Sequence, residues 1–167
     1  ETAGQVSEHL EGFRFDLACG DLYFFFWSDF CDWYIEMAKP GLEPGSERLL
    51  VKEVLLLTLD RALRLLHPVM PFLTEELWQK VAPVAGRGGE SVSVAAYPVS
   101  QPERIDATAE AQVAKLKGLV DACRTLRGEL NVSPSTRLPL YVVGDTAFMR
   151  ENAAVLQGLA KLNEVKV

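Results

Sequence analysis

The chain has 167 residues, of which 49% are hydrophobic and 24% charged. That suits one domain, or one domain with a smaller appendage. No stretch of about 18 uncharged apolar residues occurs, so no membrane span is expected, and residues 1–9 lack the basic start and apolar core of a secretory signal. The formal net charge of −6 excludes nucleic-acid binding through an overall positive field and leaves only a local patch. The charge is uneven: residues 1–100 carry 8 Lys and Arg against 15 Asp and Glu, and residues 101–167 carry 9 against 8.

Residues 16–39 read as one long helix, with Asp16 as N-cap and Pro40–Gly41 as the stop. Leu17, Leu22, Phe26, Phe30, Trp33, Tyr34 and Met37 are its apolar side chains. Ser28, Asp32 and Glu36, four residues apart, form a solvent stripe. Residues 23–27 are aromatic nearly all round, which demands several covering neighbours and predicts a bundle. A Gly/Pro loop over 40–45 leads to Ser46, a good N-cap for a second helix reaching Leu66. Leu49, Leu50, Val54, Leu57, Leu63 and Leu66 are its apolar surface, and Lys52, Glu53, Asp60, Arg61 and Arg64 its wet side. His67-Pro68 ends it. Thr74 caps a third helix, with Glu75 and Glu76 in its first turn, ending near Ala82.

Residues 85–90 are loop, 91–97 a short strand or extended segment, and 98–103 a polar linker marking a subdomain boundary. Residues 106–130 read as a helix, 138–143 as a strand, 146–162 as a helix and 165–167 as the start of another strand. This order predicts a small α/β piece beside the bundle. The fold class is therefore mainly α, divided as 1–97 and 98–167.

Cys19, Cys31 and Cys123 are odd in number and lack CxxC spacing. They are expected to be buried and reduced, in a reducing cytosolic compartment. With only His9 and His67 besides, no zinc-like ligand spacing exists and no metal is expected. No GxGxxG, Walker-type loop or G-x-S-x-G motif occurs. His67 has no nucleophile to pair with and reads as a cap or packed residue. Asp29, Asp32 and Glu36 read as a solvated face.

Three strings carry a family resemblance. Residues 29–36, Asp-Phe-Cys-Asp-Trp-Tyr-Ile-Glu, continuing through Ala38-Lys39-Pro40, resemble the "FCDWYLE…KP" helix of valyl-tRNA synthetases. Residues 66–78, from Leu66-His67-Pro68 through Pro71-Phe72 and Thr74-Glu75-Glu76 to Trp78, resemble the "HPxxPFxTEExW" segment shared by the valine, isoleucine and leucine enzymes. Residues 124–134, from Arg124 through Arg127, Glu129 and Asn131 to Pro134, are similar to the "RxxRxExNxxP" stretch of valyl enzymes. Pro68 and Pro71 fix a sharp connection between helices. Phe72, Trp78, Trp33 and Tyr34 are most simply core aromatics.

The resemblance implies the C-terminal anticodon-binding region of a valyl-tRNA synthetase: an anticodon-binding helical bundle followed by a small α/β subdomain. The parent enzyme attaches valine to its tRNA with ATP and magnesium, through HIGH-like and KMSKS-like signatures that this sequence lacks. No catalysis, editing or cofactor is expected from the chain itself. Its partners are valine tRNA and the parent's catalytic domain, in the cytoplasm. The bundle's first helix is expected upstream of residue 1, leaving an exposed apolar groove where it belongs. Anticodon bases are read by stacking and edge hydrogen bonds, with cations on phosphates. Candidate tRNA-binding residues are Lys80 and Arg87, in a region that approaches the anticodon in related methionyl enzymes, then Lys117, Arg124 and Arg127 on one helical face, and Arg61 and Arg64 on another. Lys117, Arg124 and Arg127 equally fit charge complementing the C-terminus of the 106–130 helix. Two alternatives stay open: the same module of an isoleucyl or leucyl enzyme, and a helical protein-interaction domain without RNA binding.

Overall fold

The computed structural model describes residues 1–42 and 48–166. The expected Ser46 cap and residues 43–45 of the preceding loop lie outside the described residues. The chain divides into two compact units, Glu1–Arg104 and Ile105–Val167.

The first unit opens with α1, Thr2–Glu11, where the sequence reading places no element. Its end is closed by two backbone bonds, Arg14 N–H to the His9 carbonyl at 2.8 Å and Phe13 N–H to the Leu10 carbonyl at 3.1 Å. This is a Schellman closure with Phe13 in the left-handed region at φ 56°. Next comes α2, Phe15–Phe24. It continues without a break into a π-helical stretch, Phe25–Ile35, and a last α-turn, Glu36–Ala38. Wide i→i+5 turns are rare over such a length. Here they accompany a ladder of stacked rings, Phe26 on Phe30 at 5.7 Å and Phe30 on Tyr34 at 6.0 Å.

Asp16 is not the cap of this helix. Arg14 holds that position, and the Asp16 carboxylate instead takes a two-pronged bond from the Arg14 guanidinium, at 3.0 and 2.8 Å. That pairing lowers the Asp16 carboxyl to about 2. Nor is the aromatic stretch covered all round: Tyr23, Phe24 and Trp27 stay exposed, with Tyr23 at 67%.

A hairpin follows, α3 (Arg48–Leu66) and α4 (Pro71–Val84). The third helix starts earlier than Thr74, because Pro71 occupies its first turn, where a missing N–H costs nothing. Thr74 is buried inside that turn, its hydroxyl donating to the Met70 carbonyl at 2.7 Å. Two core clusters hold the unit together. Val6, Ala18, Leu22, Leu65 and Leu66 join α1, α2 and the end of α3. Leu63, Trp78, Ala82 and Val92 join α3, α4 and the segment beyond. Each fully buried Leu or Val contributes about 1.5–3 kcal/mol against exposure.

Several side chains are placed differently from the sequence expectation. Asp60, assigned to the wet side, is 1% exposed, while Leu49, Leu50 and Val54 at the start of α3 are solvent-exposed. Phe72, taken as a core aromatic, is 89% exposed, whereas Trp78 is buried. Cys19 is exposed and Cys31 and Cys123 half-buried, so none is a fully buried thiol. The position of Cys19 on the uncovered side of α2 is the reason. Residues 91–97 form no strand. Val92–Val94 make a 3₁₀ turn capped by the Ser91 hydroxyl, flanked by extended backbone.

The second unit begins with α5, Ala107–Glu129, capped by the Asp106 carboxylate on the Thr108 and Ala109 amides at 2.9 and 3.0 Å. β1 (Leu138–Tyr141) pairs in parallel with β2 (Leu162–Lys166). The pairing skips one residue of β2 after Leu138↔Leu162 and resumes at Pro139↔Glu164, a local bulge. The crossover is two short helices, α6 (Thr146–Glu151) and α7 (Ala153–Leu159), rather than one over 146–162. They part at Asn152, whose side-chain amide donates to the Phe148 carbonyl at 2.9 Å. Leu116, Val120, Phe148, Met149, Leu156 and Leu159 are buried here. The architecture is thus mainly helical with a small α/β part.

Candidate nucleic-acid interface

α3 and α4 are joined by the short turn at His67–Met70 and pack through Leu63, Trp78 and Ala82, with the Trp78 indole on Asp60. Lys80 lies in the last turns of α4 and Arg87 just beyond it. Lys80 is exposed and its ammonium sits 2.6 Å from Glu76, one turn earlier. The cation holds the Glu76 carboxyl below the usual glutamate range. Arg87 follows a second Schellman closure, with Gly86 at φ 67° and Arg87 N–H bonded to the Ala82 carbonyl at 2.7 Å. Its backbone is therefore fixed while its side chain is exposed. Lys39, which sequence reasoning did not count among the candidate cations, follows the α2 stretch and pairs with Glu36. A lysine just before Pro-Gly was the available signal.

Arg61 and Arg64 do not form a pair of surface cations. Arg61 is exposed on α3. Arg64 is turned inward: its guanidinium donates to the Ala96 carbonyl at 2.8 Å and to the buried Asp60 carboxylate. It ties the extended segment after α4 to α3, which removes it from any ligand.

In the second unit, Lys117, Arg124 and Arg127 lie along α5. Arg127 donates to the Ser133 and Thr136 carbonyls at 3.0 and 2.7 Å and so staples the loop after the helix. Asn131 in that loop takes the left-handed position at φ 51°, with Val132 N–H returning to the Arg127 carbonyl at 2.9 Å. Arg124 is exposed but reaches the Leu159 carbonyl at 3.4 Å, at the C-terminus of α7, where a cation complements the exposed carbonyls. Lys117 is half-buried.

His67 and Glu75 of the second motif are scaffold. His67 bridges two hydroxyls, Thr74 at 2.8 Å through Nδ1 and Ser93 at 2.9 Å through Nε2. Since the Thr74 hydroxyl already donates to Met70, its oxygen accepts from Nδ1–H, which assigns the tautomer and leaves Nε2 to accept from Ser93. His67 is a packed residue. His9 is structured as well, its Nδ1 lying 2.8 Å from Asp21 between α1 and α2. Glu75 gathers the Ser91 hydroxyl, the Val92 amide and the Gln79 side chain at 2.8, 3.1 and 2.7 Å.

An apolar groove of about 300 Å³ opens between α2 and the α3–α4 turn, with Cys19, Tyr23 and Trp27 on one wall and Leu66, Val69 and Met70 on the other. The Tyr23 and Trp27 rings lie parallel, 6.4 Å apart.

The first unit is thus a helical bundle with exposed cations and an apolar groove, and a small α/β unit follows it in the chain. The chain belongs to the family of anticodon-binding domains of tRNA ligases, whose description, "Anticodon-binding domain of tRNA ligase", matches residues 1–142. It is similar to the valine–tRNA ligase of Dechloromonas aromatica, 49% identical over 98% of this chain and 18% of that protein. The valine–tRNA ligase of Thermotoga maritima is 46% identical over 99% of this chain and 18% of its own length. That of Laribacter hongkongensis is 45% identical over 89% and 16%. The chain thus spans less than a fifth of the curated relatives it matches. Among the described residues no helix is long and apolar enough to cross a membrane.

Proposed function

We propose that this chain is the anticodon-binding module of a valine–tRNA ligase and holds the anticodon arm of valine tRNA while the rest of that enzyme attaches the amino acid. The observation that carries this reading is the family match through residues 1–142, together with valine–tRNA ligases that align over nearly the whole chain. ATP and magnesium act in the nucleotide-binding part of the full ligase, in the cytoplasm, and not on these residues. The bundle is taken as the first compact unit, Glu1–Arg104, and the α/β subdomain as the second, Ile105–Val167, a division seven residues beyond the one read from the sequence at 97/98.

Within the module, Lys80 and Arg87 are the best placed to meet phosphates, with Arg61, Lys117 and Arg124 as further cations. Arg64 and Arg127 are spent on internal carbonyls and carboxylate. The test is a binding titration of full-length ligase with valine tRNA across salt concentrations. Lys80→Ala and Arg87→Ala should weaken binding and lower the salt slope, by about 0.7 for each single-strand phosphate no longer neutralised. Equal affinity for valine tRNA and unrelated tRNAs at moderate salt would reject anticodon recognition. An unchanged slope in both variants would reject these two residues.

A further inference from the structure

Arg87 sits in a stretch where Gly86, Gly88 and Gly89 surround it. Glycine loses more conformational freedom on ordering than any other residue, so such a loop would leave its cation wandering unless something held it. α4 holds it from both sides. On the way out, Gly86 takes the left-handed turn and the Arg87 N–H donates to the Ala82 carbonyl at 2.7 Å. On the way back, the Gln79 side-chain amide donates to the Glu90 carbonyl at 2.9 Å, and the Glu75 carboxylate accepts from the Ser91 hydroxyl and the Val92 N–H. Gln79 is itself oriented, because its amide also donates to Glu75 at 2.7 Å. Glu75, Gln79 and Ala82 are spaced four and three apart and so share one face of the helix.

Between these anchors the chain rests on Trp78. A Cβ at Gly89 would lie 3.0 Å from Cη2 of the indole, whereas carbon atoms pack best at about 3.5–4.0 Å. The ring has no room to step aside. Trp78 is 2% exposed, packs with Leu63, Ala82 and Val92, and has its N–H fixed on Asp60 at 2.8 Å. A side chain at position 89 therefore displaces the loop and not the indole. Gly88 is open by contrast, since a Cβ there meets nothing within 4 Å. Neither glycine takes a left-handed φ, so contact with Trp78, and not backbone strain, separates the two.

We propose that Gly89, seated on the Trp78 ring, and Gln79, on the Glu90 carbonyl, are positioning residues that set the exposed Arg87 guanidinium for a tRNA phosphate. This rests on the reading of the chain as a tRNA-binding module. Arg87 is the group that touches the ligand, and Gly89 and Gln79 act only through it. A cation whose backbone is already fixed meets a phosphate without first ordering its loop, so less freedom is lost on binding. Placement matters in a chain with a formal net charge of −6, where affinity comes from cations set locally and not from a general field.

The experiment is titration of full-length ligase with valine tRNA at one moderate salt concentration. The proteins are wild type, Arg87→Ala, Gly88→Ala, Gly89→Ala, Gln79→Met and the double variant Arg87→Ala/Gly89→Ala. Arg87→Ala should raise Kd about tenfold, the loss of one charge-assisted hydrogen bond. Gly89→Ala and Gln79→Met should each raise it about threefold, a partial loss of the same contact. Gly88→Ala should bind as wild type does. The double variant should match Arg87→Ala alone, because a residue that acts through Arg87 has nothing to act on once the guanidinium is gone. A Gly89→Ala penalty of the same size with and without Arg87 would overturn the proposal, as would wild-type affinity in Gly89→Ala. An equal loss in Gly88→Ala would overturn it too, since only position 89 meets Trp78. Trypsin reads the loop without any RNA: cleavage after Arg87, relative to a peptide of the same sequence, should be faster in Gly89→Ala and Gln79→Met than in wild type. Unchanged cleavage in both would show that neither residue holds the loop and would also overturn the proposal. If the ligase binds valine and unrelated tRNAs alike, the anticodon reading falls, while the double variant and the cleavage rates still decide whether Gly89 positions Arg87.

Discussion

The indole N–H of Trp78 donates to the Asp60 carboxylate at 2.8 Å, joining α4 to α3 through two side chains that are at most 2% exposed. The second oxygen of Asp60 accepts from Arg64, which in turn reaches the Ala96 carbonyl. One buried carboxylate thus organises three segments. Removing one partner of such a cluster leaves a buried charge uncompensated. Asp60→Ala is expected to destabilise the protein by about 3–5 kcal/mol. Trp78→Phe, which loses the donor and part of the ring, should cost less. Urea unfolding monitored by far-UV circular dichroism separates the two, and an Asp60→Ala variant as stable as wild type would contradict the arrangement.

Glu75 provides the pH-dependent link. Its carboxylate is pulled below the ordinary glutamate value of 4.5 chiefly by the Gln79 and Ser91 side chains, with the Val92 amide and His67 adding to them. A carboxylate whose folded pKa is depressed contributes stability that is present above the unfolded value and is lost as pH falls through the folded one. Melting temperature should therefore drop on acidification below 4.5, partly through release of residues 91–92 from α4. Glu75→Gln should lower the melting temperature at neutral pH and flatten this acid limb. Parallel pH profiles for the two proteins would show that Glu75 does not carry it.

Arg127 and Asn131 make a paired prediction for the second unit. Arg127→Ala frees the Ser133 and Thr136 carbonyls, and a hydrogen bond from a charged donor is worth about 1.5–3 kcal/mol. The variant should melt earlier while its salt slope for tRNA stays at the wild-type value. Asn131→Gly should be neutral or stabilising, since glycine takes φ 51° without strain. A reduced salt slope for Arg127→Ala with unchanged melting would return this arginine to the RNA-binding set.

Much of the backbone plan was legible locally. The helix periods and the helix–strand–helix–strand order of the second unit depend on neighbours within a few residues. The three ordered strings anticipated the similarity to part of the valine–tRNA ligases that the alignments show. Helix starts were less legible. Asp16 and Thr74 have good capping side chains, but each lies inside its helix, Asp16 second and Thr74 fourth, and is used on Arg14 and on Met70.

The sequence by itself determined the family, the mainly helical class and the apolar content of each helix, because motif order and periodicity are properties of the chain. Which apolar face is covered was decided only by tertiary packing, since burial depends on what other elements arrive. Hence Asp60 went inside, where Trp78 and Arg64 satisfy it, while Phe72 and Cys19 stayed out. The same holds for cations: Arg64 and Arg127 looked like Lys80 and Arg87 in the sequence. Only distant carbonyls brought within hydrogen-bond reach turned the first two into structure and left the others at the surface.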